Sequence, residues 1–425
     1  MPKRLPGFIK HTISKVPEYM HPAAANGLFP PASALMSNVT FRFIDNTIHE
    51  PGSKMEGCVA QSGMGKSYLD AMIEAIIRSL RQNDEVSDKK LSEYSRLYNS
   101  KGSNKDKPER PEDAPIFVLE SDTTNAAFIQ LLKDAERAGN RSLYSTLAEL
   151  DLLNQFCGGH SQMTRVIRLN YDTKRYGAHR ATTQGISGHP FLRWRFNFSC
   201  VQSKAQKFFK SCMTDGTLGR IGFTYLPKPS YKQKTKRRQG NYDEAYLEKL
   251  DEYLIRLQAA CGEIKVPRIN TLVNRLDDEL NDIALLADDD DFQALCLRAV
   301  GIGWQKGCLL YVAEGYRWTQ EIEDFVEWSV YNDLWSKIAI FYYEIKETQK
   351  FVEVDKRKYG PMNMMELLND SFTKDMLEQL RLSLHKASTS SNLLSSWMSR
   401  GYLTYDESTG LYHKTDVYYQ KYPKT

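Results

Sequence analysis

The sequence predicts an α/β fold with a mostly parallel sheet, followed by a helical stretch and a small helix–helix–hairpin unit. Three observations carry this. Between residues 39 and 226, short apolar runs alternate with segments of helical period, as parallel strands joined by crossover helices require. From 243 to 348 the helical period continues without strand signals. From 373 to 414 two short helical patterns precede two strand-like runs joined at Ser408-Thr-Gly410.

Taken in order, residues 1–35 are Pro-rich and predict an irregular N-terminal arm. Val39–Ile44 alternates like a strand, and Met55-Glu-Gly-Cys-Val-Ala60 reads as a short buried one. After it, Leu69, Met72, Ile73, Ile76, Ile77 and Leu80 recur at spacings of three and four, which makes one helical stripe. Residues 83–114 are dense in charge and predict a mobile insertion. Ile116–Leu119 is a second strand, and Thr124–Ala138 a helix with Phe128, Leu131, Leu132 and Ala135 on one face. Ser142–Leu147, Trp194–Val201 and Ile221–Leu226 complete five strands. The resulting domains are a core at 36–228, a basic linker at 229–240, a helical domain at 241–358 and, after Gly360-Pro361, a terminal domain at 362–425. Helix, turn, helix and hairpin in that last stretch form a winged-helix pattern; the plainer alternative is a small structural domain.

At 41% hydrophobic and 11% aromatic residues, 425 residues support two or three domains with real cores. No run of eighteen apolar residues and no apolar leader occurs, which excludes a membrane-spanning segment and predicts a cytoplasmic protein. The seven cysteines are scattered, with no Cys-x-x-Cys, against zinc and against a disulfide framework. A net charge of +4 neither requires nor excludes nucleic acid.

The chemistry concentrates at Ala60-Gln61-Ser62-Gly63-Met64-Gly65-Lys66-Ser67. This is a phosphate-binding loop, with alanine at its first position where glycine is usual. Gly63 and Gly65 let successive backbone N–H groups turn toward one anion. Lys66 supplies charge for the β/γ-phosphates of ATP, and the Ser67 hydroxyl a ligand for Mg²⁺. Strand, loop and helix in this order give the motif its context. An accidental glycine turn is the competing reading.

Hydrolysis needs an acid to direct water. Glu120 and Asp122 follow the second strand; Glu149 and Asp151 follow the third. In the ATPase branch with a strand inserted between the loop strand and the acidic strand, the catalytic acid sits on the third strand in sequence, which selects Glu149, with Asp151 next. Ala148 stands where an Asp-Glu pair is expected, so the acid supporting Mg²⁺ stays open and Asp122 remains a contributor. Gln202, after the fourth strand, stands where a γ-phosphate sensor belongs, or is a surface glutamine. Arg220, in Gly216-Thr-Leu-Gly-Arg220 before the fifth strand, is placed to act as an arginine finger from a neighbouring subunit, or to form a surface salt bridge.

Together, Ala60–Ser67, Glu120–Phe128, Ala148-Glu149-Leu150 and Asp215–Arg220 resemble the primase-associated P-loop ATPases of mobile genetic elements, themselves similar to superfamily 3 helicases within the AAA+ class. The resemblance covers roughly residues 30–348. It implies a P-loop, AAA+-like core, ATP and Mg²⁺ as cofactors, a homo-oligomeric ring, usually a hexamer, and replicative unwinding of mobile-element or phage DNA, with a primase or other replication partner. It also implies a second sensor, for which Arg298 in Phe292–Arg298 is the match.

A basic interval between the third and fourth strands adds a hint of its own. Arg165, Arg168, Lys174, Arg175, His179, Arg180, Arg193 and Arg195 are interleaved with Tyr171, Tyr176 and Trp194. Cations along phosphates with rings for stacking suit single-stranded DNA, and the resembling helicases carry a pore hairpin here. Lys174–Gly177 is its expected tip. The expectation is therefore an ATP-driven DNA helicase or translocase, with a nucleotide-switched DNA-binding initiator or regulator as the alternative and a metabolic P-loop kinase as a third reading.

Overall fold

The computed structural model describes residues 1–101, 107–178, 187–212, 215–227, 239–342, 351–355 and 358–423. The chain divides into two compact units: Met1–Val273 with Ala299–Ile340, and Asn274–Arg298 with Phe341–Thr425.

In the first unit, three short helices open the chain: α1 (Gly7–Thr12), α2 (His21–Gly27) and α3 (Phe29–Ala34). This differs from the expected irregular arm. The prolines of α2 and α3 stand in first helical turns, where the missing N–H is no loss. Ala23, Ala24, Leu28, Phe29 and Ala32 are buried against the sheet. Asn26 of α2 locks the segment in: its Oδ1 accepts from Lys306 Nζ at 2.7 Å and from Ser329 Oγ at 2.8 Å. Lys306 also pairs with Glu56 at 2.7 Å, deep in the core.

β1 (Val39–Arg42) pairs antiparallel with β2 (Ile48–His49), away from the main sheet. β3 (Met55–Ala60), β4 (Leu143–Leu147), β5 (Trp194–Cys200) and β6 (Gly222–Leu226) form a four-stranded, all-parallel sheet in the order β4-β5-β3-β6. Every residue of β3 is buried, as a central parallel strand requires. The expected strand at 116–119 makes one parallel bridge, Val118 to Tyr144, on the outer side of β4. On β5, Trp194 and Phe196 pack with Phe128 and Phe156 on one face, while Asn197 turns to the other and donates to the Gly27 carbonyl.

The helix after the glycine loop, α4, runs from Tyr68 to Ser100. It takes in most of the charged stretch that was expected to be a mobile insertion; within that stretch, 102–106 lie outside the described residues. Asp84 explains the extension. Its buried carboxylate accepts from the Phe117 and Val118 N–H groups at 2.9 and 2.8 Å, tying the outermost strand segment to the helix. Burial pushes that carboxyl up to about 6, against the pull of the two amide donors.

Helices α5 (Asn125–Arg137), α6 (Asp151–Cys157), α7 (His160–Tyr171) and α8 (Gln202–Phe209) connect the strands. Beyond them lie α9 (Glu244–Ala259), β7 (Gly262–Glu263), which pairs with β1, α10 (Ile269–Ala287), α11 (Asp290–Ala313) and α12 (Gln320–Lys337). The stretch expected as a separate helical domain is thus shared between the units, with 244–273 and 299–340 in the first. α12 covers the open edge of β6: Asp333 Oδ1 accepts from Phe223 N at 2.7 Å and Ser336 Oγ from Tyr225 N at 2.8 Å, so the edge strand's donors are matched. Of the expected linker at 229–240, only Gln239 and Gly240 are described, and Gly240 N donates to Lys15 O.

In the second unit, helices Lys374–Ser383 and Ser391–Ser399 precede the antiparallel pair Leu403–Asp406 and Leu411–Lys414, to which Ser371–Phe372 adds a third strand. Trp397, Leu394, Phe372, Leu377 and Leu286 form its core. A further hairpin, Phe351–Asp355 with Lys358–Pro361, was not expected.

Candidate functional site

The buried strand β3 delivers the chain at Ala60 to the C-terminal edge of the sheet, and Gln61–Ser67 turn there into α4. Gly63 and Gly65 have φ of +77° and +75°, the left-handed conformation in which a side chain is strained. At Gly65 a Cβ would also lie 2.5 Å from the Tyr68 ring and 3.1 Å from the Tyr19 hydroxyl, whereas at Gly63 nothing lies within 4 Å. The N–H groups of Gly63, Met64, Gly65, Lys66 and Ser67 have no acceptor among the described residues. Hydrogen bonding resumes at Tyr68 N to Gly65 O and Leu69 N to Lys66 O, both 3.0 Å. The result is a run of five amide donors without an acceptor among the described residues, at a helix N-terminus, which suits an anion.

Lys66 Nζ donates to Ala60 O at 3.4 Å, folding over the loop, and Tyr19 donates to Met64 O at 2.9 Å, tying the N-terminal segment to it. Lys66 lines a narrow crevice of about 20 Å³ with Cys58, Asp70, Thr146 and Ser199. Burial pushes the Cys58 and Cys200 thiols up to about 12 despite Lys66, so both stay neutral and unreactive. Thr146 and Ser199, near the ends of β4 and β5, were missed because a lone hydroxyl in a strand carries no motif. Tyr19 was missed because its contact spans 45 residues.

Glu149 and Asp151 follow β4 at the same sheet edge, both exposed, and share Lys204 of α8 at 3.5 and 3.3 Å. The structure therefore brings Lys66, Glu149 and Gln202 to the ends of β3, β4 and β5. Gln202 is engaged elsewhere: its Nε2 donates to Ala339 O at 3.0 Å, and Tyr225 donates to its Oε1. Asp122 is exposed beyond the outermost segment. Arg298 belongs to the second unit.

Arg220 stands before β6, at the opposite end of the sheet from Lys66. Its guanidinium donates to Gly216 O at 2.8 Å and lies 5.8 Å from the Tyr171 ring centre.

The basic interval is organised differently from expectation. Arg175 pairs with Phe191 and Ala178 with Gly188, so Lys174–Gly177 is the stem of a hairpin and not its tip. His179 and Arg180 lie outside the described residues. Tyr171, Tyr176 and Trp194 are buried in the core, which removes them as stacking platforms. Tyr176 accepts from Asn125 Nδ2 and donates to Cys157 O; Trp194 donates to Ser145 Oγ at 2.9 Å. Arg193 and Arg195 both bind Glu50 at 2.6 Å. Arg165, Lys174 and Arg175 are exposed; Arg168 is half-buried and pairs with Asp215.

No protein-family profile and no curated protein matches the chain. Among the described residues, no helix is long and apolar enough to cross a membrane.

Proposed function

We propose that the chain is a P-loop ATP hydrolase with an AAA+-like core, working as a homo-oligomeric ring, with hydrolysis driving movement on single-stranded DNA. The observation that carries this reading is the glycine loop: five consecutive amide donors and Lys66 gathered at the end of a fully buried parallel strand. The sheet order supports it, because β5 lies between β3 and β4, as the branch with an inserted strand requires. The residues present fit Mg²⁺-ATP: a left-handed glycine cradle at Gly65, the Lys66 amine folded over the loop, an exposed Ser67 hydroxyl and two carboxylates after β4, one strand beyond β5.

Bound ATP supplies the anhydride to be cleaved. The loop amides and Lys66 hold its phosphates, and Ser67 with an acid from Asp122, Glu149 or Asp151 holds the metal. Glu149 orients water once Lys204 releases it. Arg220 of a neighbouring protomer neutralises developing charge. The topology of the last unit supports a winged helix, whose third strand, Ser371–Phe372, pairs with the hairpin.

Burial of Tyr171, Tyr176 and Trp194 favours a second reading, a nucleotide-switched initiator or regulator that oligomerises on DNA without unwinding it. Lys66→Ala tests the shared premise: ATP turnover should vanish, and normal turnover would overturn both readings. Strand separation of a forked duplex by the unmodified protein selects the motor; binding without separation selects the switch.

A further inference from the structure

A second polar pocket lies at the other end of the sheet, where β5 begins. It has a volume of about 240 Å³ and is lined by Asn38, Thr40, Glu50, Asn140, Ser142, Arg193 and Arg195. Arg195 is 1% exposed. One of its nitrogens donates to Glu50 at 2.6 Å, while Nε and the other terminal nitrogen are buried with no acceptor among the described residues. Arg193 donates through Nε to the other oxygen of Glu50 at 2.6 Å and reaches Asn140 at 3.3 Å. Both Glu50 oxygens are therefore taken. Lys54, the third basic side chain beside Glu50, spends its amine on the carbonyls of Asn170 and Tyr171 and on the Thr173 hydroxyl. One carboxylate thus faces two guanidiniums and an amine that burial pushes down to about 7, and a buried guanidinium keeps unmatched donors, an arrangement that costs free energy unless an anion completes it. Asn38, Thr40, Asn140 and Ser142 add uncharged hydrogen-bonding groups around the opening.

We infer that this pocket binds a phosphate group through Arg195 and Arg193, at a site separate from the glycine loop. A guanidinium fork matches a tetrahedral oxyanion with paired donors. The group comes either from a free phosphate compound or from a nucleic-acid backbone.

The test uses the full chain carrying Lys66→Ala, which disables the glycine loop, so that failure of the proposed ATPase and failure of this site stay distinguishable. Inorganic phosphate is titrated by calorimetry and by thermal denaturation. Saturable heat and a rise in melting temperature are expected. Adding Arg193→Gln, on the more exposed arginine, should weaken phosphate binding by about tenfold or more. Arg195→Lys, which keeps charge and loses the fork, should weaken it as well. Competition by oligodeoxythymidylate would assign the phosphate to a nucleic-acid backbone, and absence of competition to a free compound; either supports the site. No phosphate binding in the Lys66→Ala protein, or binding unchanged by Arg193→Gln, overturns it.

Discussion

Replacing Arg220 by alanine is the most informative single change, because the sheet geometry separates two explanations for its effect. Glu56 is in register with Gly222 and Ala60 with Leu226, so Arg220 and the glycine loop flank opposite ends of paired strands. Five residues of parallel strand span about 16 Å, farther than an arginine side chain reaches. Arg220 therefore cannot serve the loop of its own protomer, and any catalytic role must be exercised across an interface. Under the proposed shared site, Arg220→Ala should lower turnover by about 10³-fold or more while Mg²⁺-ATP binding persists. Mixing supplies the decisive assay. In a one-to-one mixture of Arg220→Ala and Glu149→Gln chains, an interface works only when one side brings Glu149 and the other Arg220. Random assembly produces that combination in about one interface in four, so roughly a quarter of normal turnover should return if interfaces act independently. Subunit exchange is checked by energy transfer between labelled chains. Exchange without recovery refutes the reasoning, and recovery well above a quarter refutes the independence of the interfaces.

Two further expectations concern local physics. Gly63→Ala and Gly65→Ala both force alanine into left-handed backbone, costing about 1 kcal/mol, but only at Gly65 does the new methyl meet the Tyr68 ring at 2.5 Å, adding about 1–3 kcal/mol. Urea denaturation should therefore rank Gly65→Ala as the more damaging, and equal losses would contradict the loop geometry. Glu50 concerns pH. Burial pushes its carboxyl up, yet Lys54, Arg195 and Arg193 outweigh this and hold it at about 2. Since the folded value lies below the unfolded one, the stabilisation is complete above about pH 4.5 and lost as pH falls toward 2, about 3 kcal/mol in all. Glu50→Gln should lower stability at neutral pH by about 3–5 kcal/mol, because the Arg193 and Arg195 guanidiniums lose their shared partner, and should flatten acid unfolding in that window. An unchanged acid transition would dismiss the cluster as a source of stability.

How much was legible follows from where each signal resides. β3 and the stripe Leu69–Leu80 were readable because burial of one or both faces imposes a period on neighbouring residues. The glycine loop was readable because two left-handed positions two residues apart demand glycine. Prolines at 22, 30 and 31 misled because they mark a helix start as readily as a break, and only the helix they open decides which. The charged face of α4 looked unstructured because its support, Asp84 holding Phe117 and Val118, crosses more than thirty residues. The interleaved Tyr171, Tyr176 and Trp194 looked available to bases because hydrophobic rings in a basic stretch do not declare whether a core covers them.

By itself, then, the sequence determined the local periods, the four strands of the parallel sheet and the left-handed glycine turn before Lys66. Only the tertiary structure decided that β5 inserts between β3 and β4, that α2 and α3 seal the sheet through Asn26 and Lys306, and that Glu50 gathers Arg193 and Arg195 beside a pocket. The physical reason is that periodicity reports which face must be covered, while the identity of the cover depends on contacts between residues far apart in the chain, which leave no mark on either local pattern.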